Sequence, residues 1–249
     1  RRHAIPVVET QGGKSALAHD HPMNFGPVGV TGGAAANTVC ATADLVIGVG
    51  TRFQDFTTGS WALFKNPTRQ ILSINVQPYD AFKHGAISLV SDAKIALEAI
   101  DNAIGSKKWT APESLQSDWS AATAAVKAAP KAGNALPTDA QVIGAVQRTS
   151  SAATVVMGAA GTMPGELHKI WDAAQGGYHM EYGFSCMGYE IAGALGIKMA
   201  RPGADVICMV GDGSYLMMNS EIATSIALGL KVIVILLDNR GFGCINRLQ

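Results

Sequence analysis

Two short stretches hold residue types suited to chemistry. Gly211-Asp212-Gly213-Ser214 follows the apolar run 206–210, and Asp238-Asn239-Arg240-Gly241 follows the apolar run 232–237. Glycine allows positive φ and close backbone approach, and a hydroxyl and amides at a helix start can bind anionic oxygens. A carboxylate at position 212 opposes such an anion unless a divalent cation lies between them. Asp212 and Asn239 are hard oxygen ligands of the kind Mg²⁺ takes, in an array of about six oxygens. A carbonyl of the 239–241 turn, two diphosphate oxygens and a water would complete the set.

A Gly-Asp-Gly alone is most often an ordinary strand-to-helix turn; the pair of stretches carries more. Residues 212 and 239 are 27 positions apart, the length of a helix and a strand, and only a parallel βαβ unit brings the two strand ends side by side. In such sheets ligands sit beyond the carboxyl ends of the strands.

The elements that must position these residues are legible as an alternation. Up to about residue 104, β-type runs ("IPVVE", "DLVIGVG", "ILSIN") interleave with helical ones ("GGAAANTVCATA", "SDAKIALEAIDNAI"), which predicts a parallel α/β unit. Ser91-Asp92 is the expected cap of the last of these helices. The stretch 106–136 turns rich in Ala, Ser, Lys and Pro and reads as a linker with a helix around 119–126. From Pro137 the alternation resumes: "TDAQVIGAVQRTS" helix, "ATVVMGAAG" strand, "ELHKIWDAA" helix, "GYEIAGALGIKMA" helix, "ADVICMVGDGS" strand and turn, "SEIATSIALGL" helix, "KVIVILLDNRG" strand. The expectation is therefore α/β with two parallel-sheet domains, 1–105 and 137–249, joined by the linker.

Composition narrows the partner. The 249 residues are 48% hydrophobic, ample for a core, and Lys+Arg and Asp+Glu both number 19. A zero net charge gives no basic excess to attract nucleic acid or an anionic membrane, so a small molecule is the expected partner. Cys40, Cys186, Cys208 and Cys244 are widely spaced, which fits reduced thiols in a cytoplasm. No apolar run approaches the roughly 20 residues of a membrane span. The chain starts without Met and is expected to end just after a strand with no closing helix, which reads as a fragment of something longer.

The stretch "GDGSYLMMNSEIATSIALGLKVIVILLDNRGFG" resembles the cofactor motif of the thiamine-diphosphate enzymes, the family of acetolactate synthase and pyruvate decarboxylase. "HDHPMNFGPVG" and "ADLVIGVGTRFQDFTTG" are similar to that family's central domain, and "GELHKIW" and "YGFSCMGYEIAGALG" to the opening of its diphosphate-binding domain. The resemblance implies a central Rossmann-like domain and a truncated diphosphate-binding domain. It implies Mg²⁺ held by Asp212, the Asn239 side chain and the Gly241 carbonyl, with the diphosphate on Gly211, Gly213 and Ser214. It implies Met187 propping the bent cofactor, the Ser185 and Met187 backbone facing its aminopyrimidine, and His168 close by. Asp238 departs from the Asn common there, leaving the Asn239 position intact. FAD, bound by some members' central domains, has only the weak "VIGVGT" in its favour.

The finer phrases "ETQGGKSALAHDHPMNFGPVGVTGG" and "HMEYGFSCMGYEIAGALG" are similar to a ring-opening member that hydrolyses a C–C bond of a cyclic diketone. That implies a homodimer or homotetramer, and a cofactor-activating glutamate in an N-terminal domain outside this sequence, so that these residues alone would be inactive. An acetolactate-synthase-like carboligase and a non-catalytic nucleotide-binding module are the alternatives. His19, Asp20 and His21 read as a turn rather than a metal site, Met217 and Met218 as core or pocket lining, and His179 and Glu181 as loop residues that could touch substrate.

Overall fold

A computed structural model describes residues 1–130 and 136–248; residues 131–135, the end of the expected linker, lie outside it. The first half runs β1 (Val7–Glu9), β2 (Asn24–Pro27), α1 (Ala34–Thr42), β3 (Leu45–Val49), α2 (Asp55–Thr58), β4 (Gln70–Asn75), α3 (Pro78–Ala81), β5 (Ile87–Val90) and α4 (Ala93–Ile104). Helix α5 (Glu113–Lys127) then leads to α6 (Asp139–Thr149), β6 (Thr154–Gly158), α7 (Thr162–Ile170), β7 (Tyr178–Met180), α8 (Tyr189–Ala200), β8 (Asp205–Gly211), α9 (Asp212–Met217), α10 (Glu221–Ala227), β9 (Ile233–Leu237) and α11 (Gly243–Leu248).

Among the described residues every strand pairing is parallel, as the alternation predicts, and the strands form three sheets: β1-β2, β3-β4-β5 and β7-β6-β8-β9. Strands β2, β5 and β7 escape a pattern reading because they are only three or four residues long. Asp92 caps α4 as expected, accepting from the Lys94 and Ile95 amides. Two expectations need correction. The "ELHKIWDAA" helix starts earlier, at Thr162, and stops at Ile170, because Trp171 turns extended to bury its side chain and frees the Asp172 amide to donate to Gln147 Oε1 at 2.8 Å. The last strand is followed by a helix, α11.

In the four-stranded sheet, β6 and β8 are buried on both faces, which explains their unbroken apolar runs. Val156, Ile207 and Met209 join Ile143, Leu167 and Trp171 on the α6–α7 face. Val155, Met157, Val206, Cys208 and Val210 join Ile191 and Ala194 on the α8 face. Burial pushes the Cys208 thiol, with Cys40, up to about 12, so both stay neutral packing groups.

The two halves meet along a buried polar seam. Ser15 Oγ donates to Tyr178 O at 3.4 Å and accepts from Tyr178 N at 3.2 Å, and His19 N donates to Ala173 O at 2.9 Å. Lys14 is buried there, and burial lowers its ammonium to about 8. Helix α5 is docked rather than loose: the Trp119 ring lies so close to Gly26 and Gly33 that a Cβ on either would sit 2.6 or 2.3 Å from it.

Candidate functional site

Strands β8 and β9 run in register, Gly211 beside Leu237, so Asp212 and Asp238 leave the sheet as neighbours. The chain after β9 turns tightly, with φ of 60° at Arg240 and 134° at Gly241. Asp238 holds this turn, accepting from Arg240 N at 2.9 Å, a task in which the carboxylate serves as well as an amide would. Asp212 Oδ2 accepts from Gly241 N at 2.8 Å. The Asn239 amide points into the same space: one of its two terminal atoms lies 2.7 Å from Gly241 O and 3.2 Å from Asp212 Oδ1.

The identity of that atom decides what the cluster is. As nitrogen, it donates to both oxygens and closes the turn without help. As oxygen, it completes a set of three oxygens with no proton between them, an arrangement that a cation alone stabilises. With Mg–O bonds of about 2.1 Å, neighbouring oxygens of an octahedron stand about 3.0 Å apart, and the two separations straddle that value. With oxygen at that atom, the two separations match two edges of a magnesium shell. Among the described residues no group of three His, Cys, Asp or Glu side chains could hold a metal; this set, one carboxylate, one amide and one carbonyl, is of a different kind.

Beside Asp212, Gly213 faces the Phe242 ring, which a Cβ would meet at 2.7 Å, while Gly211 has open space around it. Ser214 differs from expectation. It is buried, donates its hydroxyl proton to Glu190 Oε2 at 2.7 Å and accepts from Gly188 N at 2.7 Å, so that hydroxyl is already committed and cannot donate to an incoming anion.

The 181–188 loop closes the other side. Glu181 shapes it, accepting from Phe184 N at 3.1 Å and Cys186 N at 2.7 Å. Partial burial pulls this carboxyl upward, but the amides of Cys186, Phe184 and Gly183 outweigh it and hold it below the ordinary value. Ser185 sits at φ 56° and Gly188 at φ 90°, and Ser185 Oγ donates to Ala159 O at 3.5 Å, just past β6. Met187 adjoins the Gly188 amide that bonds Ser214. Met187 is thereby brought next to the Gly188–Ser214 contact, and Ser185 to the end of β6. Arg52 reaches across from the first half to Gly183 O at 3.0 Å.

His168 is not part of this cluster. It is fully buried in the seam, with Nδ1 3.1 Å from Thr31 Oγ1 and Nε2 3.2 Å from Glu9 O, so both ring nitrogens are spent. Burial, helped by the Lys14 charge, lowers it to about 3, which makes it a neutral core histidine. His179 lies 3.3 Å from the Tyr189 hydroxyl, and His21 accepts from Met23 N at 3.2 Å, the turn role expected of it. Met217 and Met218 are half exposed rather than core, at 51% and 50%. Glu190 is the site residue that the motif reading misses; its only sequence signal is a carboxylate directly after Gly188-Tyr189, at the start of a helix.

Near the carboxyl end of β3 one strand glycine, Gly48, is covered from within, while Gly50 just past the strand has open space around it. The Phe53 ring lies 2.3 Å from where a Cβ on Gly48 would be, and Trp61 stacks on it with centroids 5.8 Å apart.

Residues 1–100 match the family described as the thiamine pyrophosphate enzyme central domain, and residues 159–249 the thiamine pyrophosphate enzyme C-terminal TPP binding domain. The chain belongs to the thiamine pyrophosphate enzymes. Among similar proteins, 3D-(3,5/4)-trihydroxycyclohexane-1,2-dione hydrolase of Geobacillus thermodenitrificans is 44% identical over 270 residues, 98% of this chain and 42% of the relative. The Clostridium perfringens protein of the same name is 41% identical, covering 98% and 43%, and a second such hydrolase of Bacillus cereus is 41% identical, covering 98% and 42%. The chain thus spans about two fifths of the length of the curated relatives it matches.

Proposed function

We propose that this chain is part of a thiamine-diphosphate- and Mg²⁺-dependent hydrolase that opens the ring of trihydroxycyclohexane-1,2-dione to 5-deoxy-glucuronate, a step of myo-inositol breakdown. The observation that carries the reading is identity of 41–44% running through 98% of the chain, across both family domains, to relatives bearing that activity in their names. The Asp212, Asn239 and Gly241 oxygens would hold a magnesium ion beside the β8–β9 strand ends, and Gly211 and Gly213 would receive the cofactor diphosphate.

When bound, thiamine diphosphate supplies the nucleophilic carbon and the electron sink for C–C cleavage. The chain's own residues bind and orient. Asp212 contributes the anionic ligand, and the small Gly213, backed by Phe242, lets the diphosphate approach the backbone. The 185–188 loop, fixed by Glu181, offers its backbone to the other end of the cofactor. The same reading places the protein in the cytoplasm as a homo-oligomer, with the cofactor-activating glutamate outside these residues.

The test is turnover by the full-length protein. Ring opening of the diketone that requires both thiamine diphosphate and Mg²⁺ is the expected result. Condensation of pyruvate without diketone turnover would reassign it as a carboligase, and magnesium-indifferent nucleotide binding without turnover would make it a binding module.

A further inference from the structure

Glu190 has no role in the reading above, yet its placement is costly enough to need a reason. It is 1% exposed, and a carboxylate removed from water is tolerated only when its lone pairs are met by donors. Its position in the first turn of α8 explains one donor: Gly188 N reaches Oε2 at 2.9 Å, a local cap that favours an anion at a helix start. A cap can be made at the surface, however, and Glu190 is not at the surface. Its other donors come from two different strand ends, Ser214 Oγ at 2.7 Å on Oε2, just past β8, and Ala160 N at 3.4 Å on Oε1, just past β6. Ser214 in turn accepts from Gly188 N at 2.7 Å, so carboxylate, hydroxyl and amide close a ring.

Resting on the proposed cofactor site, we propose that Glu190 is a positioning residue for it: the buried carboxylate sets the spacing between the metal-binding turn at Asp212 and the 185–188 loop. Ser214 lies two residues from Asp212, and Gly188 adjoins Met187. One side chain thus ties together the two segments that must hold opposite ends of a single ligand. Any slack between them is removed before the ligand arrives, which is how a preorganised site gains affinity.

The experiment compares Glu190→Ala, Glu190→Gln and Ser214→Ala in the full-length protein, titrating thiamine diphosphate at saturating Mg²⁺ by tryptophan fluorescence and melting each apo-protein. Glutamine can turn its amide oxygen toward Gly188 and Ser214, losing only the weaker Ala160 bond. The expected result is half-saturation raised about tenfold or more by Glu190→Ala and a few-fold by Ser214→Ala, near-complete rescue by Glu190→Gln, and apo melting points close to wild type. Unchanged affinity in Glu190→Ala, or equal losses in the Ala and Gln variants that track lowered apo melting, would overturn the positioning role. If Glu190→Ala does not fold, the Ser214→Ala and Glu190→Gln pair decides: equal, wild-type affinity in both overturns it. Wild-type protein that binds no cofactor sinks the functional reading itself, an outcome distinct from normal wild-type binding with indifferent variants.

Discussion

Strands β3 and β8 of the β3-β4-β5 and β7-β6-β8-β9 sheets start from similar ingredients: each is parallel to its neighbours and carries a glycine in its last two residues. They finish differently. Beyond β3, the Phe53 ring rests on Gly48, Trp61 stacks on Phe53, and His84 packs on Trp61 with centroids 4.6 Å apart. Beyond β8, nothing approaches Gly211, and three polar groups converge without filling the space between them. A glycine near a strand end is available to a ligand when polar atoms are held in place around an opening, and becomes core when the following loop folds an aromatic ring back over it, as Phe53 does over Gly48 but not over Gly50.

The sharpest way to break this contrast is Asp212→Ala. Removing the one anionic ligand should abolish magnesium-dependent thiamine-diphosphate binding by the full-length protein, measured by calorimetry, while nucleotide or flavin binding stays absent in both forms. Binding that survives would place the cofactor elsewhere. At the other edge, Phe53→Ala should cost about 3–5 kcal/mol of stability, as large-to-small changes in a packed core do, read from the denaturant midpoint. Cofactor affinity should stay within about twofold, since distant sites couple weakly.

Asn239→Ala removes a neutral ligand and leaves the carboxylate, so a loss of about tenfold in Mg²⁺ affinity is expected, corresponding to about 1.4 kcal/mol. A magnesium titration at saturating cofactor checks it. The effect on the metal site is smallest for the seam between the two regions, where the expected change is in stability against pH. Folded His168 is lowered to about 3 from an ordinary 6.5, so between those values the unfolded chain binds the proton that the native state refuses. Stability contributed by the neutral ring is complete above about pH 6.5 and falls by about 1.4 kcal/mol per pH unit below it. His168→Gln should flatten the pH dependence of unfolding by one proton in that window and leave magnesium affinity unchanged.

Much of this was legible in the residues. The apolar runs of β6 and β8, the Asp92 cap and the 27-residue spacing from 212 to 239 all depend on local chemistry or on a regular βαβ unit, and the structure follows them. His168 was misplaced because a histidine on a helix looks the same in sequence whether it faces a ligand or a seam; Glu9 and Thr31, more than a hundred residues away, take its nitrogens. The Ser214 hydroxyl looks free in sequence because Glu190, which accepts from it, arrives from another helix.

By itself, then, the sequence determined which groups are available and that Asp212 and Asn239 must end on neighbouring strands, since periodicity and chain direction leave one parallel arrangement. Tertiary structure alone decided that Gly48 is covered by Phe53 while Gly211 is open, that Asn239 turns its amide onto Asp212 and Gly241, and that Glu190 is buried between three segments. Those outcomes rest on contacts between residues far apart in the chain, where packing and desolvation outweigh any local preference.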